Sequence, residues 1–584
     1  MRKQTLHRPA PFCMTFTAGF ALAVLFLFAP SREGCAAPVT ADDYRGMSEE
    51  EILKAYDYRL RVRVINNARR IKLNPLEACE LRDARGDRIA EIKAGSFIKL
   101  ETPKEIEREG LYRVYLEDFS IWEKNPARLM ALDVRKKLRL NGQVIDITMR
   151  IRHFKDFYPF WNKGVGRKLV VAGGFVDEAE AQKLAGRLRA QYPKARVIFD
   201  QREQAKRVIR VTLGSGEALG EFDDRVSLVQ RSNEARTYFE ALQNEKSSWR
   251  LHTRTDAMVR GDFEAYTNEW ELLRMANVVH VEQYLYGVVP VEIYPTAPPE
   301  TLKAQAIAAR TTALFRVARG QNGDKHFDLA RDFTIDMEYG GYPHENPAAT
   351  AAVDATRGQV MFFTGESGKR YMANAVFCAC CGGVTVDSHE RWQHEKCSYL
   401  IPRFDRRFFA ARPPQFNTEA AARKWIDREP VAFCNPDQAG ISDNLRKMLD
   451  RRYRWETRMS PRKLSQAINK QFNLGAVDNV RVASRGASGR VSALEFTLSD
   501  GRKIRTDAND IEKIAALSFA RSLFFYIDPP IGGKDGSVFT IRGAGYGHGV
   551  GMCQVGAMGM GERGYTAAAI LRHYYNDIDF AQLY

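Results

Sequence analysis

Apolar and basic residues alternate through Tyr58-Arg-Leu-Arg-Val-Arg-Val-Ile65, and a period of two places every second side chain on one face of a strand. Shorter runs of the same kind continue to about residue 160, with Gly86-Asp87 and Asn141-Gly142 as turns. This stretch reads as mostly β. Between residues 168 and 213 the pattern changes. Lys168-Leu-Val-Val-Ala-Gly-Gly-Phe175 is strand-like, Ala181, Leu184, Leu188 and Tyr192 recur at helical spacing, and Ala195-Arg-Val-Ile-Phe199 is a second strand. Further on, Val278 to Pro290 predicts a strand entering a turn, and Pro298-Pro299 opens a helix with Glu300 in its first turn. Leu302, Ala306, Ala309, Ala313 and Val317 share one face of that helix, and Gly320 ends it. Its alanine-rich face predicts close approach to a sheet. The class that follows is α+β, and 584 residues at 45% hydrophobic content are enough for three or four domains.

The N-terminus changes the compartment. Arg2, Lys3 and Arg8 precede an apolar stretch from Phe12 to Ala29, and Gly34-Cys35-Ala36-Ala37 supplies small residues for cleavage, so residues 1–37 read as a secretory signal peptide. Thr15, Thr17 and Gly19 make the stretch a poor span. An uncleaved segment would be the chain's route to a membrane. Arg32 and Glu33 stand where a lipid-anchored Cys35 would need an apolar lipobox. The mature chain is therefore expected outside the cytoplasm, periplasmic or associated with the wall.

The formal charge of +16 attracts polyanions. Outside the cytoplasm these are wall polymers, lipid head groups and glycan carboxylates rather than nucleic acid. A solvated basic surface with no specific partner is the other reading. After signal cleavage seven cysteines remain: Cys79, Cys378, Cys380, Cys381, Cys397, Cys434 and Cys553. An oxidising compartment favours disulfides. A thiolate metal site from Cys378, Cys380, Cys381 and Cys397 with His389 or His394 is the sharper alternative, although the spacing lacks a C-x-x-C on each side. The odd count leaves at least one thiol free.

Two segments carry candidate chemistry. Glu292 lies among Val288, Val289, Pro290, Val291, Ile293 and Tyr294, and an acid in a partly dehydrated site keeps its proton at neutral pH. Near the end, Gly543, Gly545, Gly547, Gly549 and Gly551 alternate around Tyr546 and His548, a density that ordinary turns do not require. Gly559-Met-Gly-Glu-Arg-Gly564 fits a dinucleotide fingerprint, but only twenty residues follow it, too few for the strand and acidic residue that the fingerprint needs. A Walker lysine is missing, and His394-Glu-Lys-Cys-Ser398 lacks the second histidine of a zincin. No cofactor is implied and no metal is assigned.

Together, Tyr284-Leu-Tyr-Gly-Val-Val-Pro-Val-Glu292, Leu302-Lys-Ala-Gln-Ala-Ile-Ala-Ala-Arg310, Gly543 to Gln554 and His573-Tyr-Tyr575 resemble the stage II sporulation protein D and amidase-enhancer (SpoIID/LytB) family. The likeness runs from about Ser248 to Tyr584. The strand–helix–strand at 161–215 resembles a sporulation-related (SPOR) module that binds peptide-stripped glycan. The resulting partition is a signal peptide at 1–37, a β-rich region at 38–160, a SPOR-like βαβ module at 161–215 and a mixed α/β SpoIID-type domain at 248–584.

The resemblance implies a peptidoglycan lytic transglycosylase with Glu292 as acid and base, or else a noncatalytic enhancer of a wall amidase. Glu282 and Glu300 are weaker acid candidates, expected at solvated positions. Lys303, Gln305, Arg310, Tyr546, His548 and Gln554 become candidate substrate contacts. Arg310 suits bidentate carboxylate capture, the alternative being a structural ion pair. Tyr546 would stack on sugar or fill a groove, and His548 would orient substrate or be a satisfied structural histidine. Relatives with Cys-Cys-Gly-Gly and two later cysteines make Cys380, Cys381, Cys397 and Cys434 disulfide candidates. Some sporulation relatives hold zinc ahead of an Ala-Thr-Arg-Gly strand. Here Asp332 to Gly341 has neither cysteine nor histidine, so that site is not carried over.

Overall fold

A computed structural model describes Glu49, Glu51, Leu53 and most of residues 57–584, apart from 103–109, 121–141, 147–166, 202–207, 242–255 and shorter internal stretches. The signal-peptide expectation falls outside the described residues. Among the described residues no helix is long and apolar enough to cross a membrane. The chain forms two units, one of Val64–Asn277 and one joining residues up to Arg63 with Val278–Tyr584. It passes between them within the strands Arg59–Ala68 and Leu273–His280.

The Val64–Asn277 unit is built of sheets. Six antiparallel strands lie in the order Ala218–Asp223, Val208–Leu213, Ile98–Glu101, Arg70–Pro75, Arg236–Ala241 and Asp256–Arg260. Arg70–Pro75 buries every second residue, which is the predicted period of two realised against a core. In another sheet, Arg167–Phe175 and Arg196–Gln201 each pair antiparallel with Gly110–Ser120 and so run parallel to each other on its two sides. The helix Glu178–Leu188 joins them and buries Ala181, Leu184 and Leu188. The strand–helix–strand order read from the sequence is present. Its central strand comes from outside 161–215, however, and Val208–Leu213 belongs to a different sheet. The strands Asp256–Arg260 and Asp262–Thr267 also belong to this unit rather than to the C-terminal one.

The second unit is organised around the helix Pro299–Arg319. Leu302, Ala306, Ala309, Ala313 and Val317 are buried as the spacing predicts, but so are Ala304, Ala308, Leu314 and Phe315 on other faces. A helix buried all round is a core helix rather than the cover of a sheet. Helices Val281–Glu292, Pro347–Ala355, Gln554–Gly561 and Ala567–Tyr574 pack on it together with the strand Gln359–Thr364. Small side chains allow this crowding, and Gly561 sits where a Cβ would collide with Thr301. The expected turn before Glu292 is instead the helix Val281–Glu292, which follows the strand Leu273–His280 directly. Farther along, the sheet Arg454–Met459, Val538–Ala544, Phe525–Ile531 shares a core with the strands Val477–Arg485 and Val491–Leu498 through Trp455, Leu494, Phe496, Phe525 and Ile541.

Candidate active site

Glu292 is the last residue of its helix. The helix starts at His280, whose ring nitrogen accepts the Glu282 N–H at 3.2 Å, and it buries Tyr284, Leu285, Val288 and Val289. Gly287 leaves room for a second segment to lie across it: a Cβ there would be 2.8 Å from the Tyr339 ring and 3.0 Å from the Gly341 nitrogen. The Gly340 N–H instead reaches the Gly287 carbonyl at 2.9 Å. With that segment seated, the Glu338 N–H donates to Glu292 Oε1 at 2.8 Å.

The Glu292 residue keeps some exposure, yet its carboxyl is enclosed closely enough that loss of hydration raises its pKa to about 8. The Glu338 amide works against the rise and the Glu338 carboxylate adds to it. A helix C-terminus carries partial negative charge, which also favours the neutral acid. Glu292 therefore holds a proton at neutral pH.

The residue just past the C-terminal glycine segment reaches the backbone of Glu292. Gln554 Nε2 donates to the Glu292 carbonyl at 2.8 Å and approaches Gln305 Oε1 at 3.3 Å, joining three segments across 262 residues of chain. Gln305 is fully buried, and its Nε2 has no hydrogen-bond partner among the described residues. A second bridge runs through Arg452, a residue that no motif singled out. Its Nη2 donates to the Tyr294 hydroxyl at 2.8 Å, and its guanidinium lies 5.6 Å from the Tyr294 ring centre and 5.3 Å from that of Tyr546. Tyr546 is itself buried, so Arg452 links it to Tyr294, two residues beyond Glu292, and the half-buried Tyr294 and Arg452 are the groups left to meet sugar rings or carboxylates.

Backbone geometry explains the glycines. Gly545, Gly547, Gly549 and Gly551 all have positive φ, between 70° and 89°, which side-chain-bearing residues rarely adopt. This path pairs Tyr546 with Cys380 through two backbone hydrogen bonds, of 2.8 and 3.1 Å.

A family model for stage II sporulation protein (SpoIID) matches residues 270–363, which hold Glu292, Gln305 and the Glu338 donor. The chain carries a SpoIID domain. A second match, to a domain of unknown function (DUF8618), covers residues 387–551. The amidase enhancer of Bacillus subtilis is 27% identical over 308 residues, covering 50% of this chain and 39% of that protein. An uncharacterized protein of Brachyspira hyodysenteriae is 27% identical over 305 residues, 52% of this chain and 67% of its own length. Stage II sporulation protein D of Bacillus amyloliquefaciens is 24% identical over 317 residues, 52% of this chain and 75% of its own. The chain thus spans well under half of the amidase enhancer.

Within the SpoIID domain several sequence-based assignments change. Arg310 is fully buried and bonds Glu282 through two nitrogens, at 2.8 and 2.6 Å, with further bonds to the carbonyls of Val353 and Gln359. It is committed to a structural ion pair and offers no face to a substrate. Glu282 is correspondingly buried rather than solvated. Burial pushes its pKa up, but the Arg310 hydrogen bonds and charge outweigh this and hold it below the usual carboxylate range. Lys303 is half-buried and pairs with Glu300 at 2.7 Å, while Glu300 also accepts the Ala567 N–H that begins another helix. This pair serves helix packing.

His548 is a structural residue too. Its Nδ1 accepts the Val550 N–H at 3.1 Å, which leaves Nε2 to donate to the Phe377 carbonyl at 2.8 Å. Burial, then the Arg391 charge, lowers its pKa to about 3, so the ring is neutral with both nitrogens engaged. The disulfide expectation also fails for three of its four cysteines: Cys380, Cys381 and Cys434 are free thiols. Cys397 is disulfide-bonded.

Proposed function

We propose that this chain is an exported peptidoglycan lytic transglycosylase, cleaving the bond between N-acetylmuramic acid and N-acetylglucosamine with Glu292 as a single general acid and base. The observation that carries the proposal is the enclosure of the Glu292 carboxyl, whose pKa burial raises to about 8, on a residue whose main-chain carbonyl is held by Gln554 just past the glycine segment. In the first step the carboxyl gives its proton to the glycosidic oxygen as that oxygen leaves C1. The resulting carboxylate then takes the proton of the same sugar's 6-hydroxyl, whose oxygen closes on C1 to form a 1,6-anhydro ring. The carboxyl ends in its starting state. Because no water is activated, no second carboxylate is needed. Arg452, flanked by Tyr294 and Tyr546, is the group that would hold the lactyl carboxylate of a peptide-stripped strand.

The second reading is a noncatalytic wall-binding modifier, favoured by the likeness to an amidase enhancer. Amidase-treated sacculi incubated with the purified chain separate the two, with released products read by mass spectrometry. Anhydro-muramyl ends, lost by a factor of about 10² to 10⁴ in Glu292→Gln, are expected for the transglycosylase. Products with reducing ends would replace ring closure by hydrolysis. Absence of any glycan cleavage, with amidase stimulation intact in Glu292→Gln, would establish the modifier instead.

A further inference from the structure

Beneath the glycine segment, four buried groups from separate parts of the chain converge. The sulfurs of Cys381, Cys434 and Cys553 and a carboxylate oxygen of Asp405 all lie within 4.8 Å of one another. The three thiols were not grouped by sequence, because Cys553 stands 172 residues beyond Cys381. Asp405 is fully buried, and among the described residues its carboxylate accepts the Tyr574 hydroxyl at 2.7 Å, the Cys434 N–H at 2.7 Å and the Cys434 thiol. His573 Nε2 stands 3.8 Å from Oδ1. A carboxylate in a dry interior is costly unless it is protonated, paired or coordinated to a cation.

The spacing is that of hydrogen-bonded thiols, too wide for a formed disulfide and compatible with a shared metal. Cys381 and Cys434 sulfurs are 3.7 Å apart. A disulfide brings its sulfurs to about 2.05 Å. A tetrahedral zinc with bonds of about 2.3 Å to sulfur holds them about 3.8 Å apart.

The surroundings are arranged for thiolates. Cys553 Sγ accepts the Cys381 N–H at 3.2 Å and the Gly556 N–H at 3.3 Å, and the Gly383 amide donates to Cys381. Such donors stabilise sulfur anions and orient them. Gly556 has no room for a Cβ, which would fall against the Tyr574 hydroxyl and the Asp405 carboxylate. The buried Arg490 guanidinium bonds the Cys381 and Val384 carbonyls at 3.0 Å each, placing a positive charge beside a cluster that would otherwise be strongly negative.

We propose that Cys381, Cys434, Cys553 and Asp405 bind one zinc ion in a tetrahedral site of three sulfurs and one oxygen. Binding displaces one proton from each thiol. The site is structural, because its four ligands fill the coordination shell and leave no position for substrate or water. It ties the segment after Phe377–Cys378 to Cys434 and to Cys553, the residue immediately before Gln554. The ion thereby fixes the floor on which Gln554 reaches the backbone of Glu292. Cys380, whose thiol hydrogen-bonds Cys434 and Cys553, stands beside the ligands as a supporting sulfur.

The test is elemental analysis of the full chain purified without chelator, paired with peptide mapping of thiols alkylated before reduction. About one zinc per chain is expected, with Cys381, Cys434 and Cys553 all recovered as alkylated thiols. Cys434→Ser and Cys553→Ser should reduce the zinc content several-fold, and Cys79→Ser, in the other unit, should not. Should those variants not fold, cadmium exchange into the wild-type chain reads the same site through its sulfur-to-metal charge-transfer band. A chain that takes up no zinc or cadmium under reducing conditions, or one isolated with Cys381 and Cys434 in a disulfide, overturns the proposal. These readouts do not involve glycan cleavage, so failure of the transglycosylase reading leaves them unaffected.

Discussion

Glu292 is enclosed in the folded chain and free in the unfolded one, and that difference sets two pH dependences. With a pKa near 8, the acid form dominates below pH 8, so kcat/KM for glycan cleavage should be level through neutral pH and fall above about 8. Unfolded glutamate releases its proton near 4.3. Between those values the native state binds more protons than the unfolded state, so this residue's contribution makes the fold less stable as pH rises through the interval. Glu292→Gln removes that penalty. Its Tm should match wild type at pH 4 and exceed it at pH 8, by on the order of 1 to 2 kcal/mol of stability after allowing for the residue's partial exposure. Equal pH slopes of Tm in the two proteins would place the Glu292 carboxyl in open water. Arg310 invites the opposite experiment. Arg310→Met strands a buried Glu282 carboxylate and should cost about 3 to 5 kcal/mol, measured by denaturant unfolding.

At the level of elements, the glycine segment is held by its backbone path. A Cβ on Gly551 would collide with the Val376 carbonyl oxygen, and φ there is 70°. Gly564 has a similar φ of 77° but open space around it. Gly551→Ala should therefore lose about 3 kcal/mol or more and uncouple Gln554 from Glu292, whereas Gly564→Ala should cost only about 1 kcal/mol. Thermal melts of the two variants compare collision plus strain with strain alone, and similar losses would contradict the packing around Gly551. The helix Val281–Glu292 was not legible as a helix, because Gly287, Val288, Val289, Pro290 and Val291 all have weak helical preference. Burial of Tyr284, Leu285, Val288 and Val289 against neighbouring helices overrides that preference. The helix Pro299–Arg319 was legible, since its paired prolines and apolar spacing act locally.

Across the whole C-terminal unit, Glu282 acts as a hub. It holds Arg310, accepts the Gly358 N–H at 3.0 Å and accepts the Tyr584 hydroxyl at 2.6 Å. Tyr584 in turn packs on Tyr58, with ring centres 4.2 Å apart, and the Tyr58 hydroxyl bonds the Leu583 carbonyl at 3.2 Å. Tyr584 thus links the Glu282 carboxylate to Tyr58, much earlier in the chain. Tyr584→Phe keeps the ring and removes the hydroxyl, and should lower stability by about 1 to 3 kcal/mol, seen as a drop in Tm with glycan cleavage preserved at lower temperature. An unchanged Tm would show that the hydroxyl contributes nothing to holding Glu282.

Local chemistry determined what the sequence by itself could settle. Alternation marked the strand Arg59–Ala68, spacing gave the strand–helix–strand near 167–201, and the crowded glycines and isolated acid marked Gly543–Gly551 and Glu292. Whether a charged side chain faces a ligand or another buried charge is a matter of its three-dimensional neighbours. Only the tertiary structure could therefore turn Arg310 and His548 into structural groups, bring Arg452 to Tyr294 and Tyr546, and exchange Cys397 for Cys553 in the thiol cluster. Those partners lie tens to hundreds of residues apart, a distance over which no periodicity or propensity carries information.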